Sequence, residues 1–144
     1  VNLLDTNLWI ALALSKHHLH TTVRDWFAAQ PARQPMLFCR STHHSFLRLL
    51  TTEKVMGLYG LPPLTNAAAW DLAQAFLANP RITIAAEPPA LEAQWKKLAA
   101  RHTPSPKLWM DAYLAAFALT GHYTLITTDK AFTQFKDLHP TILS

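Results

Sequence analysis

An α/β fold with a mostly parallel sheet is what the sequence predicts, and three observations carry that prediction. Short, apolar, β-prone runs alternate along the chain with longer segments whose apolar residues recur at helical spacing. The links between them are short and marked by proline and polar residues. No internal repeat, low-complexity tract or obvious boundary divides the 144 residues, so residues 1–144 read as one domain. The expected architecture is a central, mostly parallel sheet of four to five short strands flanked by helices.

Val1 to Leu4 reads as a short buried strand. Asn7 is placed to cap the helix behind it, which draws its apolar faces from Trp9, Ile10, Leu12 and Leu14. A second helix is expected from about His18 to Gln30, with Leu19, Val23, Trp26 and Phe27 on one stripe. Pro31 and Pro35 bracket a loop, and Met36 to Cys39 is the second strand. Thr42 opens a third helix carrying Phe46, Leu47, Leu49 and Leu50, and Gly57 to Pro63 is a turn-rich link. Asn66 to Leu77 is strongly periodic and ends at Asn79-Pro80, before a third strand from Arg81 to Ile84. Pro88 and Pro89 begin a helix that runs to about Arg101. Beyond Pro104 and Pro106, Leu108 to Thr120 is helical with Gly121 as its C-cap. Tyr123 to Ile126 is the fourth strand and runs into Thr127-Thr128-Asp129. Ala131 to Phe135 reads as a helical turn, and Thr141 to Leu143 as an edge strand.

Composition narrows the function classes. Half of the residues are hydrophobic and 15% are charged, which argues for a folded chain over disorder. No apolar run reaches the roughly 18 residues of a membrane span, so no membrane is expected. The strand-like start leaves no room for a signal peptide, and the single cysteine, Cys39, fits a reducing cytoplasm. Thirteen Lys and Arg against nine Asp and Glu give a formal charge of +4, which suits a polyanionic partner such as nucleic acid. Only three glycines are present, which leaves no glycine-rich phosphate loop and argues against P-loop or dinucleotide binding.

The chemistry concentrates on three aspartates. Asp5 and Asp129 occupy equivalent places, each directly after an apolar strand and before a helical segment. In a parallel sheet both strand ends lie along one edge, where ligands bind. Asp111 stands near the start of an otherwise apolar helix, at the positive end of its dipole, with Lys107 one turn earlier. Taken singly, each is an ordinary helix cap. Together, three converging carboxylates repel one another unless a cation neutralises them, and hard oxygen donors suit Mg²⁺ or Mn²⁺ rather than Zn²⁺.

Four blocks then resemble the PIN-domain nucleases, most closely the VapC-type ribonuclease toxins of bacterial toxin–antitoxin systems. They are Leu3 to Asn7, Cys39 to Thr52, Trp109 to Ala116 and Leu125 to Phe132, in the family's order and over essentially the whole chain. The resemblance implies a PIN-like fold and metal-dependent cleavage of RNA. It also implies a homodimer, and restraint by a cognate antitoxin that inserts a segment into the active site. Carried over residue by residue, Asp5, Asp111 and Asp129 match the metal-binding and catalytic aspartates, while Asn7 and Thr128 match the polar residues that support them. The second block departs from the family. Where a glutamate usually opens its helix, this chain has Thr42-His43-His44-Ser45, and Glu53 lies well downstream. His43, His44 or Ser45 stands where that glutamate would, and His43 could occupy the place as a hydrogen-bonding group or a nitrogen ligand. Either the site works with three carboxylates, or the chain is a weakened or inactive RNA- or antitoxin-binding module. A phosphatase is disfavoured, because Asp5-Thr6-Asn7 lacks a second aspartate two residues on.

Other residues read more simply. His17, His18 and His20 are expected to be solvated at a helix start rather than a metal cluster. The tryptophans fall mostly at core spacing, with Trp9 and Trp26 the ones that could face a second subunit. Arg40, Arg48, Lys107 and Lys130 are placed to hold RNA phosphates.

Overall fold

The computed structural model describes residues 1–144. In chain order it contains β1 (Asn2–Leu4), α1 (Thr6–Ala13), α2 (His20–Ala29), β2 (Met36–Cys39), α3 (Arg40–Leu50) and α4 (Glu53–Gly57). There follow α5 (Asn66–Leu77), β3 (Ile82–Ala85), α6 (Leu91–Ala99), α7 (Leu108–Gly121) and β4 (Thr124–Thr127). A 3₁₀ turn (Lys130–Gln134) and β5 (Thr141–Ile142) complete the chain. The five strands form one sheet in the order β3-β2-β1-β4-β5, and every neighbouring pair is parallel. The chain builds outward from β1 through β2 to β3, then crosses back to place β4 on the other side of β1. The β1–β4 junction is therefore the point where strand order reverses, the usual ligand crevice of an open parallel sheet.

Strand alternation divides the core. Leu4, Phe38 and Ile126 face one side and pack with α1, α2, α3 and α5. Leu3, Leu37, Cys39 and Leu125 face the other side and pack against α6 and α7. With helices on both faces, the strands are buried on both sides, which is why they read as continuous apolar runs. The first face is organised by Trp9, whose ring stacks on Phe38 at 3.9 Å. Trp9 is wholly buried, so the expectation that it faces a second subunit is wrong. The broadly exposed tryptophans are Trp70 and Trp109. No helix is long and apolar enough to cross a membrane.

Several boundaries differ from the sequence reading, each for a local reason. The Asp5 amide still bonds the Ile126 carbonyl at 2.9 Å, and the chain turns into α1 at once. Asp5 rather than Asn7 is thus the cap, and its Oδ1 accepts from the Thr6 amide at 2.7 Å. Likewise α3 starts straight out of β2 at Arg40. Thr42 is its third residue and closes a capping box with Cys39, accepting from the Cys39 amide at 3.0 Å. The short helix α4 precedes the turn-rich link and takes in its first residue, Gly57. His17 is buried rather than solvated, because its Nδ1 accepts from the Leu19 amide and its ring stacks on Tyr59. His18 stays exposed, and His17, His18 and His20 do not come together as a metal-binding group.

The end of α7 is the clearest of these differences. Gly121 is its last helical residue, and the left-handed C-cap is His122, at φ 57°. Gly121 is needed for space: a Cβ there would run into the Tyr123 ring. The two positions should therefore respond oppositely. His122→Gly is expected to raise unfolding free energy in urea by about 0.5–1 kcal/mol, by relieving the left-handed penalty less the added chain entropy. Gly121→Ala is expected to lower it, although alanine is the better helix former.

Candidate active site

Asp5 lies at the C-terminal end of the central strand and is 9% exposed. Both of its oxygens are engaged: Oδ1 takes the Thr6 amide, and Oδ2 accepts the Thr127 hydroxyl at 2.8 Å. Capping a helix and anchoring a site are therefore done by the same carboxylate. The Thr127 hydroxyl in turn accepts the Asp129 amide at 3.0 Å, and Asp129 caps the 3₁₀ turn through the Ala131 amide at 2.9 Å. A continuous chain of hydrogen bonds thus runs from the end of β1 to the turn after β4.

Thr127, not Thr128, supports the aspartates. Leu125 faces α7, so two residues on Thr127 faces the same way and meets Asp5, while Thr128 has no side-chain hydrogen bond. That alternation is readable in the sequence once Leu125 is assigned to a face. Asn7 is exposed in the first turn of α1 and makes no side-chain hydrogen bond. Asp111 sits in the first turn of α7, half-buried, and no salt bridge ties it to Lys107; the one ion pair in the chain is Arg24–Asp25.

Electrostatics join the three aspartates. Burial pushes the Asp5 carboxyl from 3.8 up to about 6; the bonds from Thr127 and Thr6 oppose this, and the charges of Asp111 and Asp129 add to it. Asp111 is also raised, by burial and then by the charge of Asp129. Asp5 feels the charge of both other aspartates and Asp111 that of Asp129, although the three do not close into a finished three-ligand cage. An open set of carboxylate oxygens is what Mg²⁺ takes, since it keeps several waters and uses one or two carboxylates together with substrate phosphates. The donor chemistry therefore fits a hard divalent cation.

His43 is placed elsewhere. It is 3% exposed, lies edge-on to Phe38 and Trp70, and its Nδ1 meets Arg40 Nη1 at 3.2 Å. It makes no hydrogen bond to an aspartate. The α3 residue that touches α7 beside Asp111 is Ser41, whose hydroxyl donates to Met110 Sδ at 3.1 Å. Glu87, after β3, accepts the Tyr113 hydroxyl at 2.6 Å.

Cations border the site. A hollow of about 550 Å³ has Asp111, Lys107 and Arg101 among its walls, and Arg101 reaches across it to Gln134 Oε1 at 3.4 Å. Arg101 escaped the sequence reading because only the packing of α6 against α7 brings it to Asp111. Lys130 is exposed at the start of the 3₁₀ turn, whereas Arg40 and Arg48 line hollows between α3 and α5.

Comparison with known proteins bears on the fold and the family. The PIN domain pattern matches residues 3–138. Ribonuclease VapC41 of Mycobacterium tuberculosis is 54% identical over 143 residues, covering 99% of this chain and 98% of the relative. Ribonuclease VapC31 of the same organism is 31% identical and covers 92% of each chain. Among solved structures, VapBC2 of Rickettsia felis bound to a promoter DNA fragment superposes with a TM-score of 0.68 at 14% identity, covering 99% of this chain and 98% of that one. VapC20 of Mycobacterium tuberculosis, a sarcin–ricin loop cleaving toxin, superposes with a TM-score of 0.67 at 18% identity, covering 93% and 94%. A carboxylate-lined crevice where strand order reverses, a matching family pattern and a near full-length ribonuclease relative lead to one assignment: the chain belongs to the PIN-domain family, among the VapC ribonucleases.

Proposed function

We propose that this protein is a metal-dependent endoribonuclease, the toxin of a type II toxin–antitoxin module, acting in the cytoplasm and neutralised by a cognate antitoxin. The observation that carries the reading is the buried Asp5 carboxylate, held by Thr6 and Thr127 within the field of Asp111 and Asp129. Asp5, Asp111 and Asp129 would hold Mg²⁺ or Mn²⁺. When bound, the ion supplies an acidified water and neutralises charge on the phosphodiester. The protein's part is orientation and charge. Thr127 fixes the rotamer of Asp5, and its contact with the Asp129 amide sets the spacing between the two carboxylates. Lys107 and Arg101 line the hollow beside Asp111 and pair with RNA phosphates. Asn7, exposed on the first turn of α1, and Thr128, between Thr127 and Asp129, would bond bound water or substrate. A homodimer belongs to the same reading: Trp109, 54% exposed and edge-on to Trp95 at 6.0 Å, offers an apolar face to a second subunit.

A second reading keeps the fold and loses the chemistry, leaving an RNA- or antitoxin-binding module. It is favoured by α3, whose eleven residues include no carboxylate. The position of Ser41 against α7 makes Ser41→Glu the informative change, with His43→Glu as the comparison. A large gain in cleavage from an inactive start supports the binding module.

Three outcomes are expected. Asp5→Asn should lower RNA cleavage in Mg²⁺ or Mn²⁺ by at least about 100-fold, on the order of 3 kcal/mol of transition-state stabilisation, in a gel assay of a labelled transcript. Full cleavage by the Asp5→Asn, Asp111→Asn double variant would sink the proposal. In EDTA the same Asp5→Asn change should stabilise the fold at alkaline pH. A carboxyl raised from 3.8 to about 6 favours the native state when protonated, so its contribution is present below pH 4 and is lost as pH rises through 6. Melting curves should show Asp5→Asn ahead by up to roughly 3 kcal/mol at pH 8, with the gap closing towards pH 4. Finally, Mg²⁺ binding at pH 6 should release protons and at pH 8 release few, read as a buffer-dependent calorimetric enthalpy that Asp5→Asn removes.

A further inference from the structure

Helix α3 presents a row of basic side chains. Arg40, His44 and Arg48 follow one another at four-residue spacing, and all three are exposed. The row starts at the catalytic edge, since Arg40 is the first residue after β2 and its neighbour Ser41 touches Met110, next to Asp111. At the helical rise it extends about 12 Å from there. Facing it from α5 is Trp70, 49% exposed. Two adjoining hollows of about 290 and 490 Å³, sharing His44, Leu47 and Trp70 as walls, form the groove between the two helices. No acidic residue lines either hollow, and none of the row is in a salt bridge.

His43 lies in the wall of this groove with an unmet need. Arg40 can only donate, so the His43 Nδ1 it meets is the acceptor and the ring proton sits on Nε2. That N–H is buried and has no partner. With Nε2 closed to solvent, His43 shapes the groove wall and steadies Arg40 and is not itself a ligand contact.

The exposed features describe one ligand chemistry: a flat π-system for Trp70, and anions spaced along a strand for Arg40 and Arg48. We propose that the α3–α5 groove is a single-stranded RNA subsite, in which a base beyond the cleaved bond stacks on Trp70 while neighbouring phosphates pair with Arg40 and Arg48. The proposal rests on RNA being the substrate. An acidic peptide would satisfy the arginines but leave the stacking face unused, so RNA is the better match.

The test measures anisotropy of a fluorescein-labelled single-stranded RNA on the full chain in EDTA, where no cleavage occurs. Trp70→Ala should weaken binding roughly 5- to 100-fold, and Trp70→Phe should retain most of it. Arg48→Ala should reduce the slope of log affinity against log salt by about 0.7. In Mg²⁺, Trp70→Ala should raise KM for a long RNA and leave kcat within about twofold, because an exposed stacking residue away from the aspartates adds binding that ground and transition states share. Unchanged RNA affinity in both Trp70→Ala and Arg48→Ala overturns the subsite. So does a change confined to oligomeric state, in sedimentation equilibrium, or to the affinity for an acidic peptide. If the groove variants lose RNA binding while the wild type cuts no RNA with either ion, the ribonuclease reading fails and the subsite stands. If Asp5→Asn abolishes cleavage while Trp70→Ala binds normally, the reverse holds.

Discussion

The hydrogen bond from the Thr127 hydroxyl to Asp5 is the interaction on which the site depends. It spans the two strands at the point where sheet order reverses, and it joins the carboxylate at the end of β1 to the backbone that carries Asp129. Without a donor there, a carboxylate only 9% exposed would keep its Thr6 contact and lose the lateral one. The sheet register makes the bond possible. Leu4 lies opposite Ile126, so the next residue on each strand, Asp5 and Thr127, meet just where the ladder ends.

The same site holds stored electrostatic tension. Burial and two neighbouring carboxylates work against the charge on Asp5, and only two hydrogen bonds oppose them. A fold does not gain from such a cluster, since a carboxylate forced to ionise in a buried place subtracts from stability. Sites of this kind persist where the charge is needed for chemistry, and the ion that relieves the repulsion also brings the reactivity. The acid-free α3 adds no further carboxylate to this cluster and instead carries exposed cations along a tryptophan-faced groove.

Much of this was legible in the residues. The apolar runs ending at Asp5 and just before Asp129, and the polar interruption at Asp111 in an apolar helix, pointed to one sheet edge. Strand positions were also readable, because a strand buried on both faces leaves a continuous apolar run. Helix starts were read less well. Asn7 and Thr42 have the right chemistry for caps, but the chain turned earlier, and Asp5 and Cys39 took those places because the ladder ended there. Gly121 was recognised at the correct helix end for the wrong reason, since it provides room for Tyr123 while His122 adopts the left-handed turn.

What the sequence alone determined is the fold class, the order of its elements and the three aspartates, because these follow from local periodicity and from carboxylates placed at the ends of apolar runs. The tertiary structure decided which hydroxyl holds Asp5, which cations line the hollow beside Asp111, and where His43 points. Those depend on the face a strand residue takes and on how one helix lies against another. Thr127 and Thr128 are chemically identical neighbours, and only the pleat of β4 separates them. Arg101 and Asp111 come to line one hollow through the packing of α6 on α7, and His43 is turned towards Trp70 by the setting of α3 against α5. No spacing along the chain encodes those contacts.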